Sequence, residues 1–158
     1  MDSIDYAILA AISEQADITN KALAHRLRVA ESTSAYRVRN LRERGIIQGS
    51  HIRLNNAALG YPLEALIKVR LRSHSRESVG SFYDDLVNTP GVLQAVHLAG
   101  ADDFLVHVAV EDAEAVRDLV LQRITSHGVV RQTETSLVFE VRHGVGVVPS
   151  SKHPRSST

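Results

Sequence analysis

The chain has 158 residues, of which 44% are hydrophobic and 23% charged, and its eighteen basic and eighteen acidic side chains leave no formal net charge. It contains no cysteine, which excludes disulfide bonds, thiol catalysis and thiolate metal sites and fits a reducing cytoplasm. With no Trp and only 4% aromatic residues, a platform that stacks single-stranded bases is not expected. No signal peptide is evident and no apolar run approaches about 18 residues, so we expect a cytoplasmic protein that has no membrane partner.

The first predicted element is a helix over residues 3–14. Ile4, Ile8 and Ile12 recur at helical spacing and form an apolar stripe. Asp5 lies near the start, where an acidic side chain suits the positive end of the helix dipole. We expect this helix to complete a three-helix core with the two helices that follow.

Residues 19–47 are typical of a helix-turn-helix unit, in which the second helix is presented to the major groove of DNA. Leu23 and Leu27 lie on one face of the first short helix, and residues 28–30 have the length of the turn. Gly45 stands where a left-handed residue commonly ends the second helix.

Residues 20–53 form a cationic segment, with eight Lys and Arg side chains against two Glu, a local net charge of +6 in a neutral chain. Phosphate binding requires such a local patch, although arginine is also common on any solvated helix face. At the start of the second helix we expect side chains that reach base edges, namely Ser32, Thr33, Ser34, Tyr36 and Arg37. The arginines expected to meet phosphates are Arg28, Arg39, Arg42, Arg44 and Arg53. For Arg37 an equal alternative is that it locks this helix onto the first through an acid such as Asp5.

The cationic segment is followed by signals for a wing and a linker. Residues 46–47 and 51–54 are predicted to pair as a small two-stranded wing around Gly49 and Ser50. Residues 55–62 contain Asn-Asn, Gly and Pro, which indicates a linker between domains. The DNA-binding domain is therefore predicted to cover residues 1–54.

The second half predicts a ferredoxin-like β-α-β-β-α-β domain over residues 63–146. The strands are predicted at 64–72, 92–98, 104–110 and 129–142, and the helices at 76–88 and 113–126. The fold class is therefore α+β, an N-terminal winged helix-turn-helix plus a C-terminal ferredoxin-like domain. Residues 147–158 have no packing side chains and are predicted to be a mobile tail.

Two faces of the predicted sheet differ in character. Alternate residues from Phe104 to Val110 are all apolar, so helices should cover that face. The opposite face is predicted to pack against a second subunit, although it could also be an ordinary half-exposed sheet face. The residues predicted on that opposite face are Ala95, His97, Leu105, His107 and Ala109. If the hairpin is centred on Asp102, His97 and His107 face each other, a pair that could bind metal or sense pH but is more ordinarily just packed at an interface. No third ligand is evident, so no metal site is predicted.

Short motifs in a fixed order run through both halves. They are Asp2-x-x-Asp5 with Ile8-Leu9, then Leu23-Ala24, then Arg37-Val38-x-x-Leu41-x-x-x-Gly45-x-Ile47, then Gly60, and then Gly100-x-x-Asp103. In these features the chain resembles the Lrp/AsnC (feast/famine) family of transcriptional regulators along nearly its whole length. The resemblance implies a double-stranded DNA partner, a small-molecule-binding C-terminal domain, homodimers that often assemble into tetramers or octamers, and an amino acid or related metabolite as effector. No cofactor is implied.

The resemblance also implies where the effector binds, which is at contacts between dimers. The residues so implied are Gly100, Ala101, Asp102 and Asp103 of the hairpin and Thr133, Thr135 and Ser136 of the last strand. Gly and Asp are equally what an ordinary hairpin turn needs. Asp102 stands where the family often has an aromatic residue, which favours a polar or basic effector.

Two departures from the family lie in the DNA-reading unit. Arg28 replaces the usual glycine of the turn, and a non-glycine residue at positive φ costs about 1 kcal/mol. Ala30 replaces the usual serine cap, whose loss costs about 1 kcal/mol unless Ser32 takes over. These changes affect the expected operator sequence rather than the mode of binding.

We therefore expect a sequence-specific DNA-binding regulator that is modulated by an amino acid, and not an enzyme. One alternative is an Lrp-like siroheme decarboxylase, which the arginine-rich helix argues against. Another is an effector-independent protein that organises DNA.

Overall fold

The computed structural model describes residues 1–72, 75–144 and 146–147. The chain divides into two compact units, one built on Met1–Arg53 and the other on Leu54–Arg142. The tail predicted over residues 147–158 lies, except for Val147, outside the described residues. In the part of the chain that is described, no helix has the length and apolar character needed to cross a bilayer.

The N-terminal unit is a bundle of three helices. They are α1 (Ser3–Glu14), α2 (Asn20–Leu27) and α3 (Glu31–Glu43). Their shared core is formed by the buried side chains of Ile8, Ala11, Leu23, Val38 and Leu41. The prediction that the first helix completes a three-helix core is confirmed.

The turn between α2 and α3 keeps a left-handed residue even though that residue is not glycine. Arg28 has φ 54° and ψ 43°, and its backbone N–H donates to the carbonyls that end α2. It is the one non-glycine residue of positive φ among those described. Ala30 is the N-cap of α3 and offers no side-chain hydrogen bond to the helix, so the first turn lacks a cap of the usual kind.

The predicted pairing of residues 46–47 with residues 51–54 is not formed. The backbone N–H groups of Ile46 and Ile47 both donate to the carbonyl oxygen of Leu41, at 2.9 and 3.2 Å, which ties this segment to the end of α3. Ile52 is 84% exposed, and residues 46–54 contain no strand. Ile47 packs against the core of the three helices, whereas residues 51–54 are exposed and bury no apolar face, and an isolated hairpin without such a face is marginal in water.

The C-terminal unit has the predicted β-α-β-β-α-β order. Its elements are β1 (Leu63–Leu71), α4 (Arg76–Val87), β2 (Val92–His97), β3 (Phe104–Val110), α5 (Ala113–Leu119) and β4 (Val130–Val138). A 3-10 turn (Ala57–Leu59) precedes β1, and a π-helical turn (Val120–Ile124) extends α5. The strands form one antiparallel sheet in the order β2-β3-β1-β4. The last strand ends at Val138 rather than at residue 142.

Both helices cover one face of this sheet. Ile67, Val69, Phe104 and Val106 are fully buried there. The ring of Phe82 on α4 meets that of Phe104 edge-on at 5.4 Å between centroids. The prediction that alternate residues of β3 lie under the helices is therefore confirmed.

The prediction that Ala95 and His97 lie on the sheet face away from the helices was wrong. Ala95 pairs with Val106 and His97 with Phe104, so both lie on the helix-covered face. The hairpin is centred between Gly100 and Ala101 rather than on Asp102, and a bulge between Val92 and Gln94 shifts the register again. The new hairpin centre moves the pairing of His97 by three residues, from His107 to Phe104, and an odd shift exchanges the two faces of a strand. The bulge precedes Ala95 and His97 and changes the register of Val92 only.

The two histidines consequently do not face each other. His97 stacks on Phe104 at 4.7 Å between ring centroids, on the helix side of the sheet. His107 lies opposite Gln94 on the outer face, where its Nε2 is 2.8 Å from Glu64 Oε2. The predicted His97–His107 pair is thus wrong, whereas Leu105, His107 and Ala109 keep their assignment to the outer face.

Candidate nucleic-acid interface

The exposed side of α3 carries side chains suited to reading DNA bases. Ser32, Tyr36 and Arg39 are spaced four and three residues apart and are all exposed, with Tyr36 at 66%. Thr33 and Asn40 lie beside them and help to line an open cleft of about 420 Å³. Asn40 is not among the residues predicted to read bases, although its position four residues after Tyr36 places it on the same side of the helix.

Ser34 does not belong to this surface, which corrects its predicted role at base edges. Its side chain is fully buried, and it lies four and seven residues before Val38 and Leu41 on the core stripe. The Ser34 hydroxyl has no hydrogen-bond partner among the described residues. A buried hydroxyl cannot contact a base without opening the bundle.

Arg37 takes the second of its two predicted roles, because it fastens α3 to the start of α1. Its Nη1 donates to Asp2 Oδ2 at 2.7 Å and to Asp5 Oδ1 at 2.9 Å. Asp2 is also the N-cap of α1: its side chain accepts the backbone N–H of Ile4 and of Asp5, and Asp5 accepts the backbone N–H of Asp2. We refer to Asp2, Asp5 and Arg37 as the helix clamp.

The hydrogen bonds of the helix clamp favour the charged forms of its members. The pKa of the Asp2 carboxyl is lowered, first by the backbone N–H of Asp5 and next by the Arg37 guanidinium. The pKa of Arg37 is raised, first by its hydrogen bond to Asp2 and then by that to Asp5. Because Arg37 is bound to two carboxylates at the capped start of α1, its guanidinium is not free to bind a DNA phosphate.

The arginines predicted to meet phosphates are available for that task. Arg28, Arg39, Arg42, Arg44 and Arg53 are exposed, and within the described ranges none of them forms an ion pair. Arg44 makes only a long contact to Asn40 Oδ1, at 3.4 Å. Arg26, by contrast, is paired with Glu14. Unpaired guanidinium groups on one small unit provide the charge that a DNA backbone attracts.

In the C-terminal unit, the carboxylates of the predicted effector loop already have partners. Arg70 Nε donates to Asp102 Oδ1 at 2.7 Å, and the backbone N–H of Leu71 donates to Asp103 Oδ2 at 2.7 Å. The hydrogen bond from Arg70 to Asp102 is also the main reason that the pKa of Arg70 is raised. Asp102 is neutralised within the chain, so the argument from Asp102 to a basic effector loses its physical basis. Gly100 and Ala101 are exposed at the tip.

The three predicted effector contacts on β4 do not share one face. Thr133 pairs with Val69 and Thr135 with Ile67, which places both on the helix side of the sheet. Ser136 pairs with Leu66 on the outer face. A ligand on one face therefore contacts either the two threonines or Ser136.

Comparison with known proteins identifies both halves of the chain. The model of a winged helix-turn-helix DNA-binding domain matches residues 1–48, and that of the Lrp/AsnC ligand binding domain matches residues 64–143. The transcriptional regulator AldR of Mycolicibacterium smegmatis is 40% identical over 144 residues, which cover 91% of this chain and 84% of that protein. The leucine-responsive regulatory protein of Rhizobium meliloti is 33% identical over 139 residues, covering 88% and 89% of the two chains.

A solved structure supports the same assignment. The regulator NMB0573 of Neisseria meningitidis, in complex with L-Met, superposes with a TM-score of 0.82 at 26% identity, covering 90% of this chain and 93% of that one. The relatives are transcriptional regulators and not enzymes, which argues against the decarboxylase alternative. The chain belongs to the Lrp/AsnC family of transcriptional regulators, with an N-terminal DNA-binding domain and a C-terminal ligand-binding domain.

Proposed function

We propose that this chain is a sequence-specific, cytoplasmic regulator whose DNA affinity or assembly state is set by an amino acid or a related metabolite. The observation that carries the proposal is the exposed side of α3, where polar side chains and unpaired arginines stand on a helix fixed by the helix clamp. Ser32, Thr33, Tyr36 and Asn40 would read base edges in the major groove. The five unpaired arginines would contact phosphates and set the register.

The outer face of the sheet is proposed as the surface that joins two copies. Leu66, Val96 and Leu105 are only half-buried at its centre, and Ala109 is buried beside them. The charged side chains around them are paired within the chain, such as Lys68 with Glu134 at 3.0 Å. An apolar centre with satisfied charges suits a two-fold contact of this face with itself. Tetramers or octamers would then form through further contacts.

The ion pair of Arg70 and Asp102 supports an effector site at the hairpin. An amino acid carries the same two charges as this pair, so its carboxylate could bind Arg70 while its ammonium group binds Asp102. The ion pair within the chain would be replaced by two ion pairs with the ligand, so every charge would still have a partner. The L-Met in the complex of NMB0573 supports a free amino acid as the class of ligand, and this hairpin is proposed as its site here.

Selection of bound fragments from genomic DNA, with and without each of the twenty amino acids, tests this function. A shared sequence among the fragments, and an amino acid that changes their recovery, are the expected results. Equal binding to unrelated duplexes would instead support an effector-independent DNA-organising protein.

The effector site has its own test. Calorimetric titration with the amino acid found by selection should show binding that Asp102→Asn weakens. Asp118→Asn makes the same chemical change at an exposed acid of α5 and serves as the matched control, with binding unchanged. Equal binding by the wild type and Asp102→Asn would move the site away from the hairpin.

A further inference from the structure

A second cleft opens in the C-terminal unit, away from the hairpin. Its volume is about 410 Å³, and it lies where β2 begins and β3 ends. The segment before β1 forms one wall, with Leu59 and Tyr61 facing it. Pro90, Gly91 and Leu93 contribute to the cleft from the start of β2. We call it the β2 cleft.

The backbone around the β2 cleft is held in place by contacts within the chain. Gly91 has φ +89°, and a Cβ atom there would lie 3.2 Å from the carbonyl oxygen of Ala109. The backbone N–H of Ala109 donates to the Gly91 carbonyl at 2.8 Å. Beyond it, the bulge between Val92 and Gln94 leaves Leu93 46% exposed. Bulges at sheet edges often lie next to functional sites, and this one shapes a wall of the β2 cleft.

The lining is apolar with one negative charge. Eight of the eleven lining residues are apolar, and the others are Asn56, Tyr61 and Glu111. The amide nitrogen of Asn56 donates to Glu64 Oε1 at 3.2 Å, so its side-chain oxygen is the atom left to accept. Glu111 is exposed and has no ion pair among the described residues. No Lys, Arg or His lines the cleft.

We propose that the β2 cleft binds a small apolar amine in its protonated form. The apolar body of the amine would cover Leu59, Val92 and Leu93, and its ammonium group would donate to Glu111. An amino acid with the same side chain fits less well, because its carboxylate would lie near Glu111 with no cation in the lining to offset it. This ligand class therefore separates the β2 cleft from the effector site proposed at the hairpin.

A matched series of three probes tests the proposal by calorimetric titration of the full chain at fixed pH and ionic strength. The probes are 2-phenylethylamine, L-phenylalanine and 3-phenylpropionate, which share an aromatic body and differ in charged groups. The amine should bind at least tenfold more tightly than either of the others. Glu111→Gln should weaken amine binding at least tenfold.

Glu114→Gln is the control, since Glu114 is an exposed acid at the start of α5 that does not line the cleft. Amine binding by this variant should match that of the wild type, and neither variant should change DNA affinity measured without amine. The proposal is overturned if the amine does not bind, if Glu111→Gln binds it as tightly as the wild type, or if phenylalanine binds equally well in a Glu111-dependent way. Absence of binding overturns the proposal whether sedimentation shows a monomer or a dimer.

Discussion

Salt dependence of DNA binding tests the proposed division between arginines that would contact phosphate and the one that holds the bundle together. Arg39 is exposed and unpaired, whereas Arg37 is bound to Asp2 and Asp5 within the chain. We expect Arg39→Gln to reduce the salt dependence of binding, because it removes a phosphate contact. Arg37→Gln should weaken binding by a similar factor at every salt concentration, because it loosens the position of α3 and removes no phosphate contact.

The size of the effect follows from counting charges. Each protomer offers five unpaired arginines, so a dimer that used all of them would neutralise about ten phosphates, and log K would fall with log salt at a slope of about −9. Between about 50 and 200 mM salt, affinity would fall by about 10⁵-fold. Arg39→Gln removes two contacts per dimer, which brings the slope to about −7 and the loss to about 10⁴-fold.

Fluorescence anisotropy of a labelled operator duplex, titrated at four or more salt concentrations, measures both slopes. Sedimentation at the same concentrations checks that all three proteins have the same assembly state. The reasoning is refuted if Arg37→Gln changes the slope as much as Arg39→Gln does. Arg37 would then leave the helix clamp and contact a phosphate.

Three further predictions concern the stability of the N-terminal unit. Ala30→Ser should raise the free energy of unfolding by about 1 kcal/mol in chemical denaturation, because residue 30 already has the extended backbone of an N-cap and lacks only the hydroxyl; an unchanged midpoint would mean that the hydroxyl does not reach the helix. Ser34→Ala should stabilise by up to about 1 kcal/mol, because it removes a buried hydroxyl without a partner and improves helix propensity, whereas a loss of stability would reveal a hydrogen bond to Ser34. The lowered pKa of Asp2 means that its carboxylate stabilises the fold fully above its ordinary pKa of 3.8, and that this contribution is lost as pH falls through the lower folded value. Asp2→Asn should therefore be less stable than the wild type at pH 7, with the difference closing in urea titrations below pH 3.8, and a difference that persisted there would point to a cause other than charge.

Helices and strands could be predicted from the sequence because burial imposes a period on the chain. Ile8 and Ile12 repeat at the spacing of a helix that packs on one side, and the alternate apolar residues of β3 repeat at the spacing of a strand. The same periodicity predicts that Ser34 is buried, because Ser34 precedes Val38 by four residues and Leu41 by seven. The prediction that Ser34 reads bases rests on the chemistry of its hydroxyl, which is the wrong criterion at a core position.

Other features depend on contacts that a periodic pattern does not contain. The centre of the hairpin between β2 and β3 moves their pairing by three residues, an odd number, and this placed Ala95 and His97 on the opposite face from the one predicted. This shift has no signal in the residues themselves. The choice between the two roles of Arg37 likewise required the position of Asp2, which only the folded bundle brings close.

Hydroxyl-radical footprinting of the full chain on a duplex obtained by genomic selection tests the central claim most directly. Two copies, each presenting α3, should protect two patches on one face of the duplex, separated by about one helical turn, or roughly 34–36 Å. Absence of protection at low salt, or a single protected patch at saturating protein, would contradict the claim that paired copies of this chain present α3 to the major groove.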